Sequence, residues 1–105
     1  MTFDDRKQEF ESRYAHDQEL RFRVEARRNK LLGLWAAEKL GLSGAEADAY
    51  ALDVVKADLQ SHGDADVQAK IVADFAAAGV TQSEHQIRRR MDELLLEAEA
   101  QVKSA

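Results

Sequence analysis

No cysteine and no proline occur among the 105 residues, and only five are glycine. Without cysteine the chain has neither disulfides nor thiolate metal ligands, which fits a reducing compartment. Without proline nothing forces a break in a helical run, so helices extend until glycine and capping residues stop them. Long hydrophobic runs are missing too. The longest near-continuous apolar stretch, Leu31 to Ala37, falls far short of the roughly 20 residues of a membrane span. The start, Met1-Thr2-Phe3-Asp4-Asp5, lacks the basic-then-apolar order of a secretory signal and the acid-poor character of a transit peptide. Positive charge is in deficit: a net charge of -5 repels a phosphate backbone at long range, so nucleic-acid binding is not expected. A cytoplasmic domain that is not membrane-inserted is the expectation these absences leave.

What is present is helix-forming. Gly41, Gly63 and Gly79 each follow an amphipathic run and precede a capping residue, the order in which one helix ends in a left-handed turn and the next begins. Four helices result. The first runs from about Asp17 to Leu40, the second opens on the capping box Ser43-Gly44-Ala45-Glu46, and the third opens at Asp64 as N-cap. The fourth opens at one of two overlapping boxes, Thr81-x-x-Glu84 or Ser83-x-x-Gln86.

Apolar spacing assigns the buried faces: Leu20, Val24, Leu31, Leu34, Trp35 and Leu40 on the first helix, and Ala51, Leu52, Val55 and Leu59 on the second. Val67, Ile71, Val72, Phe75 and Ala78 serve the third, and Ile87, Met91, Leu94, Leu95, Ala98 and Val102 the fourth. Short connections favour antiparallel neighbours, hence an all-α four-helix bundle over residues 17–105.

Residues 1–16 have a different composition. Their large apolar residues, Phe3, Phe10 and Tyr14, fall on one stripe of a helix, with Asp4, Asp5, Arg6, Lys7, Glu9, Glu11 and Arg13 around it. Three aromatics do not repay the conformational entropy of ordering such a segment. Residues 1–16 are therefore expected to form a mobile arm that becomes helical only in a partner's groove.

Chemistry-bearing clusters are few. His16, His62 and His85 are scattered and no Glu-x-x-His pair occurs, so no metal centre is expected. No serine has a plausible catalytic histidine and acid beside it in sequence, glycine is too sparse for a phosphate loop, and no catalytic residue is expected. His16 stands at the junction of arm and bundle, where protonation could alter how stiffly the arm is held. Two basic clusters remain. Arg21, Arg23, Arg27, Arg28 and Lys30 could neutralise acidic helices, dock an acidic partner or bind a nucleotide phosphate. Arg88-Arg89-Arg90 sits at the wrong end of its helix for the dipole and needs compensation.

These residues carry a resemblance. Ala26-Arg27-Arg28-Asn29-Lys30-Leu31-Leu32-Gly33-Leu34-Trp35-Ala36-Ala37, followed by Gly41, resembles the first-helix signature of the zeta-type ATPase inhibitor subunits of alphaproteobacterial F-type ATP synthases. Phe3-Asp4-Asp5-Arg6, Phe10-Glu11 and Tyr14-Ala15-His16-Asp17 resemble that family's inhibitory stretch, with Tyr14 where phenylalanine is more usual. Ala49-Tyr50-Ala51, Val54-Val55-Lys56-Ala57-Asp58 and Gln86-Ile87-Arg88-Arg89 before Met91 also fit.

The resemblance implies an inhibitor of ATP hydrolysis, monomeric when free, whose arm enters a catalytic interface between the alpha and beta subunits. The central-stalk gamma subunit is a further candidate contact. It implies a position peripheral to the inner membrane when bound. No cofactor is implied beyond weak adenine-nucleotide binding, for which Arg27, Arg28 and Lys30 are the candidate contacts. The alternative is a helical adaptor or nucleotide-sensing module engaging another protein.

Overall fold

Glycine ends two helices by the same geometry. Gly41 and Gly79 both adopt left-handed backbone, with φ of 79° and 73°. Around the first, the Leu42 N–H donates to the Ala37 carbonyl and the Gly41 N–H to the Glu38 carbonyl; around the second, Val80 donates to Phe75 and Gly79 to Ala76. This pair of bonds satisfies carbonyls that a helix end otherwise leaves orphaned.

The computed structural model describes residues 17–61 and 64–104, with side chains for 17–58 and 64–104. They form α1 (Gln18–Lys39), α2 (Gly44–Ser61), α3 (Asp64–Ala78) and α4 (Glu84–Ser104), and no strand occurs among the described residues. Asp17 caps α1, its Oδ1 accepting from the Leu20 N–H at 2.9 Å. At α4 the capping box is the Ser83 one: the Ser83 N–H donates to Gln86 Oε1 at 2.8 Å and the Gln86 N–H to Ser83 Oγ at 3.1 Å. Asp64, expected as an N-cap, is instead the first residue of α3, and its carboxylate reaches across to Arg28. Gly63 and His62 lie outside the described residues.

The helices form a ring in which α2 and α4 flank α1 and α3 packs against α2 and α4. Leu32 and Ala36 of α1, Val54 of α2, Val67, Ile71 and Phe75 of α3 and Ile87, Met91 and Leu94 of α4 fill the centre. Trp35 packs its ring on Phe75 across the core, centroids 5.8 Å apart. A second cluster, Val24 with Leu95 and Ala98, extends burial along α1 and α4. The four-helix bundle expected from sequence is therefore present.

Its third corner departs from a simple antiparallel hairpin. Gln68, early in α3, donates to the Glu84 carbonyl at the very start of α4 and accepts from Arg88 Nε. Parallel axes would set Gln68 opposite the middle of α4, so α3 crosses α4 obliquely.

Helix faces also differ in detail from expectation. On α1 the fully buried apolar residues are Val24, Leu32, Ala36 and Ala37, whereas Leu20, Leu31, Leu34, Trp35 and Leu40 are only partly covered. A helix squeezed between two neighbours buries its small residues at the points of closest approach, and a pattern that ranks large apolar residues overlooks them. Gly33 marks a close approach of α1 to α2: a Cβ there would lie 2.6 Å from Ala51 Cα. On α2 Ala51 is buried as expected and Val54 joins it, while Leu52 is 53% exposed and Val55 half-buried. Leu59 has no described side chain. Ala78, assigned to the core, is exposed beside the turn at Gly79, and on α4 the expected face is buried except Val102, which is partly covered.

Candidate functional site

Adjacent arginines on α1 take opposite directions because successive helical residues are about 100° apart. Arg28 points inward and is 2% exposed. Its Nη2 lies 2.7 Å from Asp64 Oδ1 and its Nε donates to Asn29 Oδ1 at 2.8 Å. This ion pair ties α1 to the first turn of α3, where the helix dipole also favours the carboxylate. Arg27 points outward and donates from Nε to Gln101 Oε1 of α4 at 2.6 Å.

Arg23, Ala26, Arg27 and Lys30 share the spacing i, i+3, i+4, i+7 and so occupy one outer face of α1. That face forms the floor of an open groove of about 600 Å³. Leu52 and Val55 of α2 make one wall, and Gln101 and Val102 of α4 the other. The groove is thus apolar at Ala26, Leu52, Val55 and Val102, and cationic along Arg23, Arg27 and Lys30.

The remaining charges are mostly consumed locally. Arg21 pairs with Glu25, Lys70 with Asp74, Arg89 and Arg90 with Glu93, and Lys103 with Glu99. Glu93 and Gln68 thereby provide the compensation that Arg88 to Arg90 required. Burial pushes the Glu25 carboxyl above its ordinary pKa and Asp58 adds to the push, opposed by the hydrogen bond and charge of Arg21 and the charge of Arg28. Tyr50 donates its hydroxyl to Asp74 Oδ2 at 2.7 Å, with Lys70 over its ring. Burial first, then that hydrogen bond and the charges of Asp74 and Asp53, hold its phenol proton on well above the usual range.

Among the candidate contacts read from sequence, Arg27 and Lys30 come together on the groove, and Arg28 does not join them. Phe3, Asp4, Asp5, Arg6, Lys7, Glu9, Phe10, Glu11, Arg13, Tyr14 and His16 lie outside the described residues. His85 is exposed at the start of α4. Leu52, Val55 and Val102 were read as core, and Gln101 was not singled out. The Arg23-x-x-Ala26-Arg27-x-x-Lys30 spacing was the available signal of a cationic face.

Over residues 1–101 the sequence matches the family of ATPase inhibitor subunit zeta. The chain belongs to that family. The resemblance carried by Ala26 to Ala37 is thereby borne out, and the match takes in the first sixteen residues, the first three helices and most of α4. No curated protein matches the chain. Among the described residues no helix is long and apolar enough to cross a membrane. Within this zeta-family chain, the groove over α1 combines a concave shape with cations that pair with no carboxylate among the described residues.

Proposed function

We propose that this protein inhibits ATP hydrolysis by an F-type ATP synthase, and that residues 1–16 do so by entering a catalytic interface between the alpha and beta subunits as a helix. The observation that carries this reading is the family match, which begins at residue 1 and so includes the aromatic stripe. Phe3, Phe10 and Tyr14 pack into the cleft, while Asp4, Asp5, Arg6, Lys7, Glu9, Glu11 and Arg13 pair with its walls. Such a wedge halts rotation only through higher affinity for one rotational state of the enzyme. The gamma subunit is a further contact where the cleft meets the central stalk. The protein itself acts as a regulator without a catalytic site, in the cytoplasm and peripheral to the inner membrane when bound.

A nucleotide-sensing role has less support. It would have to use Arg27 and Lys30 without Arg28, whose guanidinium is committed to Asp64. The groove also runs along the interior of α1, where backbone amides are spent on helical hydrogen bonds and cannot cradle phosphate.

Deletion of residues 1–16 tests the reading. The truncated protein is expected to keep its helical circular dichroism and denaturation midpoint and to lose inhibition of ATP hydrolysis. Equal inhibition by the truncated and full-length proteins would refute it.

A further inference from the structure

We propose that the groove over α1 is a second docking surface, and that its occupant is an acidic amphipathic helix presented by the partner enzyme. The proposal rests on the inhibitor reading for the identity of the partner, and on the groove itself for the chemistry.

Charge is the first argument. In a chain of net charge -5, Arg21, Arg28, Lys70, Arg89, Arg90 and Lys103 each pair with a carboxylate. Arg23, Arg27 and Lys30 do not among the described residues, and Arg27 is held by the neutral Gln101 instead. An acidic protein with three cations on one helical face that no described carboxylate pairs attracts carboxylates there.

Shape and apolar surface are the second argument. Leu52 is 53% exposed on the wall, and Phe22, one turn before Ala26 and 56% exposed, continues the strip along α1. From Phe22 to Lys30 the strip is about 12 Å long, room for two turns of a helix laid along it. Anchors at i, i+3 and i+4 would sit on Leu52, Val55 and Val102, with flanking glutamates or aspartates against the cations.

Other occupants fit less well. Residues 1–16 carry Asp4, Asp5, Glu9 and Glu11 against Arg6, Lys7 and Arg13, so their charge is almost balanced. A second copy brings its own net negative charge and with it repulsion between the two chains. Docking of the groove would hold the inhibitory segment near its target and raise its effective concentration.

The test uses full-length protein. Arg27→Glu/Lys30→Glu should raise the half-maximal inhibitory concentration by about tenfold or more, with full inhibition still reached at saturation. Leu52→Ser, which leaves the charges in place, should shift it the same way. In parallel, methyl-labelled protein is titrated with a synthetic amphipathic peptide bearing leucines on one face and flanking glutamates. Resonances of Leu52, Val55 and Val102 should move, and a lysine-flanked peptide should leave them unmoved.

Unchanged half-maximal concentrations in both variants would overturn the proposal while leaving inhibition intact. So would groove resonances that move on deletion of residues 1–16, on dilution, or with ATP but not with the acidic peptide. Should the wild-type protein fail to inhibit at all, the inhibitor reading falls, and the peptide titration still decides the groove.

Discussion

The inner and outer faces of α1 put the same side chain to opposite uses. On the inner face Arg28 is 2% exposed and locked to Asp64, so its charge acts as a strut between α1 and α3. On the outer face Arg27 lies along an open groove with Arg23 and Lys30, and its charge remains available. Chemistry does not separate the two; what stands opposite them does. An arginine that has lost its water must find a carboxylate, whereas one that keeps its water can wait for a partner.

The largest expected effect comes from breaking the inner face. Arg28→Ala leaves the Asp64 carboxylate, 19% exposed, without its cation and removes a long buried stem, for a loss of about 3 kcal/mol. Urea denaturation should show a lower midpoint at unchanged slope. Arg28→Met combined with Asp64→Ala should recover much of the loss, because removing both charges removes the unpaired one. Persistence of the full loss in that double variant would mean that the pair is not what Arg28 contributes.

Next comes the seam between α1 and α2. Gly33→Val would drive methyl groups into Ala51, whose Cα lies 2.6 Å from where a Cβ would stand, and should cost about 2 kcal/mol. Thermal denaturation of Gly33→Val alone, and with Ala51→Gly to relieve the crowding, separates contact from helix propensity. Absence of any rescue would place the cost elsewhere.

The smallest effect concerns Glu25, half-buried on α1 beside Arg21 and facing Asp58. Its raised carboxyl pKa means that the native state binds this proton more tightly than the unfolded chain. Stability is therefore lost as pH rises from the ordinary glutamate value through the raised one. Glu25→Gln has no such proton to release. It should match the wild type at pH below the ordinary value and be modestly more stable at neutral pH, as read by paired denaturation midpoints. An advantage that appears only at low pH would reverse the sign and exclude burial as the dominant influence.

Much of the architecture was legible in the sequence because its signals are local. Left-handed glycines at 41 and 79 and the Ser83 to Gln86 box, one of the two overlapping boxes read at the start of α4, depend only on neighbours within a turn and appear where the spacing put them. The α4 stripe was legible because its buried residues are large and evenly spaced. Less of the site could be read. Leu52 and Val55 looked like core because hydrophobicity says that a residue prefers burial, not whether a neighbour arrives to bury it. For Arg28 the choice between neutralising an acidic helix and docking a partner stayed open in the sequence, because the carboxylate that decides it is thirty-six residues away.

The sequence by itself determined four helices, the glycine stops at 41 and 79 and the family to which they belong, since short-range hydrogen bonding and periodicity are written in consecutive residues. Only the tertiary structure decided which arginine became a strut and which stayed in reach of a partner. It also decided that α3 crosses α4 obliquely and that a groove opens between α2 and α4. Those outcomes depend on side chains from distant segments competing for the same volume and charge, a competition that exists only after the helices have packed.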